Sequence, residues 1–233
     1  MSEINNITHI GIVGTGTIGG GWVAHFLRNG LQVQAWDPAA DAEEKLRQRI
    51  ANVWPVLERL ELHPDASPEN LTFGATLEEA VSGVHFVQES TPERLPTKVA
   101  TLQEIDGACP LETIIANSTS GYLMNAMAVE CQYPERCVVA HPFNPPYLIP
   151  LVEVVAGPQT SPKVHQDAVD FYRATGKQPL KLNKEVPGFV ADRLMEAVWR
   201  ESLHMINNDM ATVEEIDTAM RYGPGPRWAM MGR

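Results

Sequence analysis

Short apolar runs and longer amphipathic stretches take turns along most of this chain. THIGIVGTG (8–16), LQVQAWD (31–37), LTFGA (71–75), VHFVQES (84–90) and TIIANST (113–119) read as strands, with helical patterns between them at 17–29, 41–61, 76–82 and 94–106. IGIV, HFV and TIIA are continuously apolar, as strands covered on both faces of a parallel sheet tend to be. Strand, helix, strand at this spacing predicts βαβ units, because parallel strands need a crossover of about a dozen residues or more.

After residue 130 the texture changes. CVVAHPF (137–143) and LIPLVEVVAG (148–157) read as strands joined by the rigid, proline-laden NPPY; a helix at 162–175 and a strand KQPLKL (177–182) follow. The lysines of KQPLKLNK (177–184) alternate as on a solvated strand face. Pro187-Gly188 then punctuates the chain before helical patterns at 189–207 and 212–221, so the expected domains are 1–186 and a smaller, all-helical 187–233. The second is short for an independent core. The fold class expected is α/β.

Composition narrows the partners. With 44% apolar and 20% charged residues the chain is neither disordered nor coiled coil, and a net charge of −11 disfavours nucleic acid and anionic membrane surfaces. No window reaches the roughly 18 uninterrupted apolar residues of a membrane span, and MSEINNITHI lacks a signal-peptide layout, so a cytoplasmic location is expected. Three cysteines without CxxC or nearby histidine spacing read as reduced apolar residues, and no metal is expected.

Two constellations carry chemistry. Gly14-Thr15-Gly16-Thr17-Ile18-Gly19 lies between the first strand and first helix: one glycine for the turn, one for approach of a pyrophosphate, one for close helix packing. Asp37, ending the second strand, is placed to accept hydrogen bonds from ribose hydroxyls and to repel a 2′-phosphate, which favours NAD over NADP. Gly20 and Gly21 extend the run without an assigned role. The second constellation is His141, ending an apolar strand, with Glu153 inside LVEVV twelve residues later. Two readings fit that spacing: an acid–base pair across adjacent strand ends, or a core histidine with a glutamate on an exposed face.

GTGTIG, NSTSG (117–121), HPFNPP (141–146), LVEVV (151–155) and PGFVADRL (187–194) occur in the order and spacing of the 3-hydroxyacyl-CoA dehydrogenase family, which the chain resembles over nearly its whole length. The resemblance implies a Rossmann-type NAD-binding domain followed by a helical domain for substrate binding and dimerisation. It implies that His141 takes the hydroxyl proton, that Glu153 orients and balances it, and that Ser120 and Asn144 hydrogen-bond the substrate oxygen and help seat the nicotinamide. Glu93 and Lys98 match positions contacting the nicotinamide half of the cofactor, although solvated charges at a helix start would look the same.

Asp192 departs from the acyl-CoA branch, which has asparagine there. VADRLMEAVWRESLH (190–204) and RYGPGPRWAMMG (221–232) instead resemble the branch that oxidises L-carnitine, a small 3-hydroxy acid with a trimethylammonium group. Such a cation calls for aromatic faces and carboxylates. Candidates are Phe143, Tyr147, Trp199 and Trp228, with Asp192 and Glu196; ordinary core packing is an equal reading for each aromatic. Segment 41–61 holds five acids and four bases, with no visible clamp for coenzyme A phosphates. L-Gulonate, 3-hydroxybutyryl-CoA, or a non-catalytic NAD-binding role stand as rivals. In this family a further helical stretch follows the RWAMMG position, so the helical domain is expected to be partial here and to form a homodimer where complete.

Overall fold

A computed structural model describes residues 7–232. Contacts divide them into two units, one reaching Pro187 and the other starting at Gly188.

In the first unit the strands are β1 (His9–Val13), β2 (Gln32–Trp36), β3 (Leu71–Phe73), β4 (Phe86–Glu89), β5 (Ile114–Asn117), β6 (Cys137–Pro142), β7 (Leu151–Val155) and β8 (Gln178–Leu182). They form one sheet in the order β3-β2-β1-β4-β5-β6-β7-β8. From β3 to β6 every pair is parallel, as the strand–helix rhythm predicts. β7 then runs antiparallel to β6, and β8 parallel to β7. The reversal follows from chain length: residues 143–150 are too few for a parallel crossover and suffice for a hairpin-like return.

Between the strands lie α1 (Thr17–Arg28), α2 (Ala42–Leu57), α3 (Leu77–Val81), α4 (Leu95–Ala108), α5 (Met124–Met127) and α6 (Pro162–Ala174). α2 stops short of the expected residue 61, two residues after Pro55, which has no N–H to donate to the preceding turn. α5 went unpredicted because a single turn shows no periodicity. The core gathers Ile10, Ile12, Val33 and Phe86 of the sheet with Trp22 and Phe26 of α1 and Phe171 and Tyr172 of α6. Its aromatic rings interlock: Trp22 stacks on Phe26 at 5.3 Å, and Phe86 lies 4.4 Å from Phe171. Thus α1, which starts at the glycine turn, is held by the same packing as α6.

The second unit contains α7 (Ala191–Asn207), α8 (Val213–Tyr222) and α9 (Pro224–Met231). A capping box between Thr212 and Glu215 starts α8. Beyond the helical pattern that ends at 221, Pro224 begins α9, because prolines in a first turn lack only N–H groups that no helical carbonyl would receive. No residue of these three helices is fully buried. Among the described residues no helix is long and apolar enough to cross a membrane.

His25 supplies a pH dependence. It is 4% exposed, its Nε2 meets the Thr175 hydroxyl at 3.1 Å, and burial, with Lys177 and Arg28 nearby, holds its pKa well below the usual imidazole value. The unfolded chain therefore binds a proton on this residue below about pH 6.5 that the folded chain refuses, so stability falls as pH drops, with a slope that approaches about 1.4 kcal/mol per pH unit once the unfolded imidazole is fully protonated. Thermal unfolding between pH 7 and 5 should show this slope, and His25→Gln should flatten it.

Candidate functional site

The glycine turn is built by three separate constraints. Gly14 has φ +88°, and a Cβ there would lie 2.8 Å from the Ser90 carbonyl. A Cβ at Gly19 would lie 1.8 Å from the Gly14 oxygen, so helix and turn can close only without one. Gly16 is the opposite case: it is exposed, and a Cβ would meet nothing within 4 Å of the protein. Packing accounts for the first and third glycines and leaves the second facing open space. No side chain caps α1 and no acid occupies its first turn, so its leading N–H groups and positive dipole end face the same opening. An anionic pyrophosphate fits that cradle.

Asp37 ties the end of β2 to the turn. Its Oδ2 accepts from the Thr15 N–H at 2.8 Å and the Thr15 hydroxyl at 3.3 Å, and its Oδ1 from the Ala39 N–H at 3.0 Å. The carboxylate is half-exposed beside the glycine turn, where the ribose of a dinucleotide belongs. Arg49 of α2, unnoticed in the sequence, donates to the Thr15 carbonyl at 2.9 Å and to that of Gly16. It crosses over Gly20, where a Cβ would stand 2.5 Å from its guanidinium; Gly21 likewise admits Pro146, whose ring would be 2.5 Å from a Cβ. The extra glycines therefore serve close approach. No short motif marks Arg49, since its partners are backbone atoms more than thirty residues away.

A second group lies where β4 and β5 end. Lys98 is 1% exposed and donates to Glu89, itself fully buried, at 2.9 Å and to the Thr91 carbonyl at 3.0 Å. Asn117 also donates to Glu89, and its side-chain oxygen accepts from Thr119 N–H at 2.8 Å. The solvated reading of Lys98 is thereby excluded: the ammonium holds the 89–93 loop from beneath. Glu93 stays partly exposed, accepting from the Thr119 hydroxyl and from the Ser120 N–H at 3.2 Å. The structure thus brings Glu93 and Ser120 together in one exposed corner.

The third group decides between the two readings of His141. β6 and β7 pair His141 with Glu153 directly across the ladder, and Nδ1 lies 2.9 Å from Glu153 Oε2. Glu153 is 0% exposed, so a glutamate on an exposed face is ruled out. A carboxylate can only accept, so Nδ1 is the donor and the neutral ring carries its lone pair on Nε2. The Phe143 ring lies 5.2 Å from the imidazole, and Asn144 is exposed in the following loop. Tyr147 packs against the core cluster instead.

The remaining candidates belong to the helical unit. Asp192, Glu196 and Trp199 share one face of α7, with Trp199 61% exposed. Trp228 lines an apolar groove with Leu194, Val198, Met205 and Met220. The expected solvated lysine face of 177–184 needs correction too: Lys181 is exposed, but Lys177 is buried. Among the described residues no group of histidine, cysteine, aspartate and glutamate could hold a metal ion.

β1 and β4 are neighbours, so the strand order reverses between them, and the glycine turn, Asp37 and the Glu93 corner all follow carboxyl ends of strands around that crevice. Open α/β sheets take dinucleotides there. With an imidazole–carboxylate pair on the same sheet, the chain falls into the class of NAD-dependent dehydrogenases. Residues 9–186 match the 3-hydroxyacyl-CoA dehydrogenase NAD-binding domain and residues 188–232 the C-terminal domain of the same enzymes. The chain belongs to the 3-hydroxyacyl-CoA dehydrogenase family, and its cofactor is NAD.

Individual relatives agree. The L-carnitine dehydrogenase of Streptomyces griseus subsp. griseus is 55% identical over 97% of this chain and 68% of its own length. The crystal structure of 5-formyl-3-hydroxy-2-methylpyridine 4-carboxylic acid 5-dehydrogenase, an NAD+-dependent dismutase, superposes with a TM-score of 0.91 at 35% identity, covering 97% of this chain and 74% of that one. The (S)-3-hydroxybutyryl-CoA dehydrogenase PaaH1 of Ralstonia eutropha gives 0.86 at 29% identity, covering 94% and 78%.

The position of Asp37 predicts cofactor choice. Wild-type protein should bind NAD roughly tenfold or more tightly than NADP, through repulsion of the 2′-phosphate. Asp37→Asn keeps an acceptor for the Thr15 N–H but removes the charge, so the two dissociation constants, read by fluorescence titration, should converge.

Proposed function

We propose that this chain oxidises the 3-hydroxyl of L-carnitine to 3-dehydrocarnitine with NAD. The observation that carries this reading is the 55% identity to an L-carnitine dehydrogenase across 97% of the chain. The buried His141–Glu153 pair supports the chemistry. Gly14 to Gly19, with Asp37, would hold the dinucleotide, and Glu93, kept in place by Lys98, would contact its nicotinamide half. When bound, NAD supplies the acceptor for the hydride that leaves C3. His141 Nε2 takes the hydroxyl proton, and Glu153 stabilises the imidazolium that results. Ser120 and Asn144, both exposed beside their strand ends, hydrogen-bond the substrate oxygen.

In the first unit the candidate face for the trimethylammonium is Phe143 beside His141; in the helical unit the candidates are Trp199, with Asp192 and Glu196 on its helix face, and, separately, Trp228. Tyr147 is the weakest of these candidates because its ring is engaged with the core. The helical unit is also the proposed homodimer contact, and the proposed location is the cytoplasm.

His141→Ala should lower kcat by about 10²–10⁴-fold while NAD affinity stays within a factor of two, since general-base help is of that order and the nucleotide is held elsewhere. Glu153→Gln should also be slow. Retention of most of the wild-type rate in His141→Ala would refute the dyad.

The substrate is tested by following NAD reduction with L-carnitine, L-gulonate and (S)-3-hydroxybutyryl-CoA side by side, then with 3-hydroxy-5,5-dimethylhexanoate, the isostere of carnitine in which an uncharged tert-butyl group replaces the trimethylammonium. A cation gains about 0.5–2 kcal/mol per aromatic contact, so L-carnitine should show a kcat/KM several-fold or more above the isostere. Equal values would reject cation recognition.

A further inference from the structure

Lys177 is read from sequence as one of a row of solvated lysines, and the structure buries it. It is 4% exposed. Its Nζ donates to the carbonyl oxygens of Pro146 and Ile149, both at 2.6 Å, and stands 5.1 Å from the centre of the Trp22 ring. Among the described residues its partners are thus two carbonyls and an aromatic face rather than a carboxylate. Burial pushes its pKa down to about 8, the mark of a costly placement. A side chain of this length could reach water by a change of rotamer, so its retention inside points to what it holds.

What it holds is the loop that follows His141. Leu148 and Ile149 N–H groups both donate to the Pro145 carbonyl, at 3.0 and 2.9 Å, closing a tight turn whose Pro146 and Ile149 carbonyls receive Lys177. On its other side Pro146 rests on Gly21 of α1, where even a methyl group would collide. Beneath, Trp22 donates to Ser118 Oγ at 3.2 Å, and Ser118 also meets Gln88 at 2.8 Å and Ser90 at 2.9 Å. The loop is therefore fastened to the helix that starts at the glycine turn and, through Trp22, to the ends of β4 and β5.

We infer that Lys177 is a positioning residue for the dehydrogenase reaction: its ammonium fixes the 143–149 loop against α1, and with it the placement of Phe143 and Asn144 beside His141. The inference rests on the reading of that loop as a wall of the substrate site. It separates Lys177 from a lysine that merely stabilises the fold, because the predicted damage is local and falls on the hydroxy acid rather than on NAD.

The test compares wild type, Lys177→Met, which keeps the length and removes the donors, and Lys177→Arg, which returns them. Lys177→Met should lower kcat/KM for the hydroxy acid tenfold or more, with the NAD dissociation constant within twofold. Amide hydrogen exchange should rise at least tenfold at Tyr147, Leu148, Ile149 and Leu151 and stay unchanged in β1 to β5. Lys177→Arg should recover part of both effects. Gly21→Ala, which leaves Lys177 intact and pushes Pro146 from the opposite side, should reproduce the pattern, and it decides the matter should Lys177→Met not fold. Wild-type kinetics with unchanged loop exchange in either Lys177→Met or Gly21→Ala overturns the inference, as does exchange that rises evenly across the sheet. The exchange measurement needs no substrate, and the kinetics use whichever hydroxy acid the wild type turns over, so failure of the carnitine reading leaves a distinct result.

Discussion

A carboxylate with no exposure to solvent must have a partner, and Glu153 has His141. The partnership depends on strand register. Val139, Ala140, His141 and Pro142 face Val155, Val154, Glu153 and Val152 across the antiparallel ladder. Side chains alternate faces along a strand, so a slip by one residue would turn Glu153 to the other face and leave both groups stranded. The turn at 143–150 sets that register, and it is antiparallel only because the connection is too short for anything else. The geometry of the dyad is thus a consequence of loop length and proline content before it is a matter of two particular residues.

The same logic of paired burial runs along the carboxyl ends of the sheet. Glu89 and Lys98 are both buried, bonded to each other and to Asn117 and Thr91, and their network delivers Glu93 to the surface beside Ser120. Breaking one partner of such a pair leaves an uncompensated charge, at a cost of about 3–5 kcal/mol. Replacing both by apolar residues would be milder for stability, but would lose the fixed placement of the 89–93 loop. These are the carboxyl ends of β4 and β5, beside the crevice where open α/β sheets take dinucleotides.

The sequence revealed those features that are local or that come with a fixed spacing. The glycine turn, Asp37 and the βαβ rhythm are statements about neighbours, and the fold followed from them. The dyad was half legible: spacing raised the possibility, and only the pairing of β6 with β7 closed it. Arg49 and Lys177 escaped because each donates to backbone carbonyls distant in sequence, and a carbonyl carries no residue identity to match. Lys177 was moreover disguised by its neighbour Lys181, which does face solvent, so that alternation suggested a common exposed face. Gly20 and Gly21 carry no role in the sequence reading, whereas each marks a side chain, Arg49 of α2 and Pro146 of the 143–150 loop, pressed against α1.

The placement of charge on α2 bears on substrate size. Coenzyme A carries several phosphate charges, and a protein that uses it needs cations held ready near the nucleotide-binding half. Here Lys45 lies 2.5 Å from Asp41 and Arg47 2.8 Å from Glu43, each one helical turn apart. These exposed pairs are individually weak and would yield to a stronger anion. Arg49 would not yield so readily, because its guanidinium supports the Thr15 and Gly16 carbonyls of the turn itself. Recruiting it to a coenzyme A phosphate would loosen the cradle that the dinucleotide needs. The helix thus has acids matched to two of its bases and a structural duty for a third, an arrangement suited to a substrate that brings no phosphates, as a small zwitterionic hydroxy acid does.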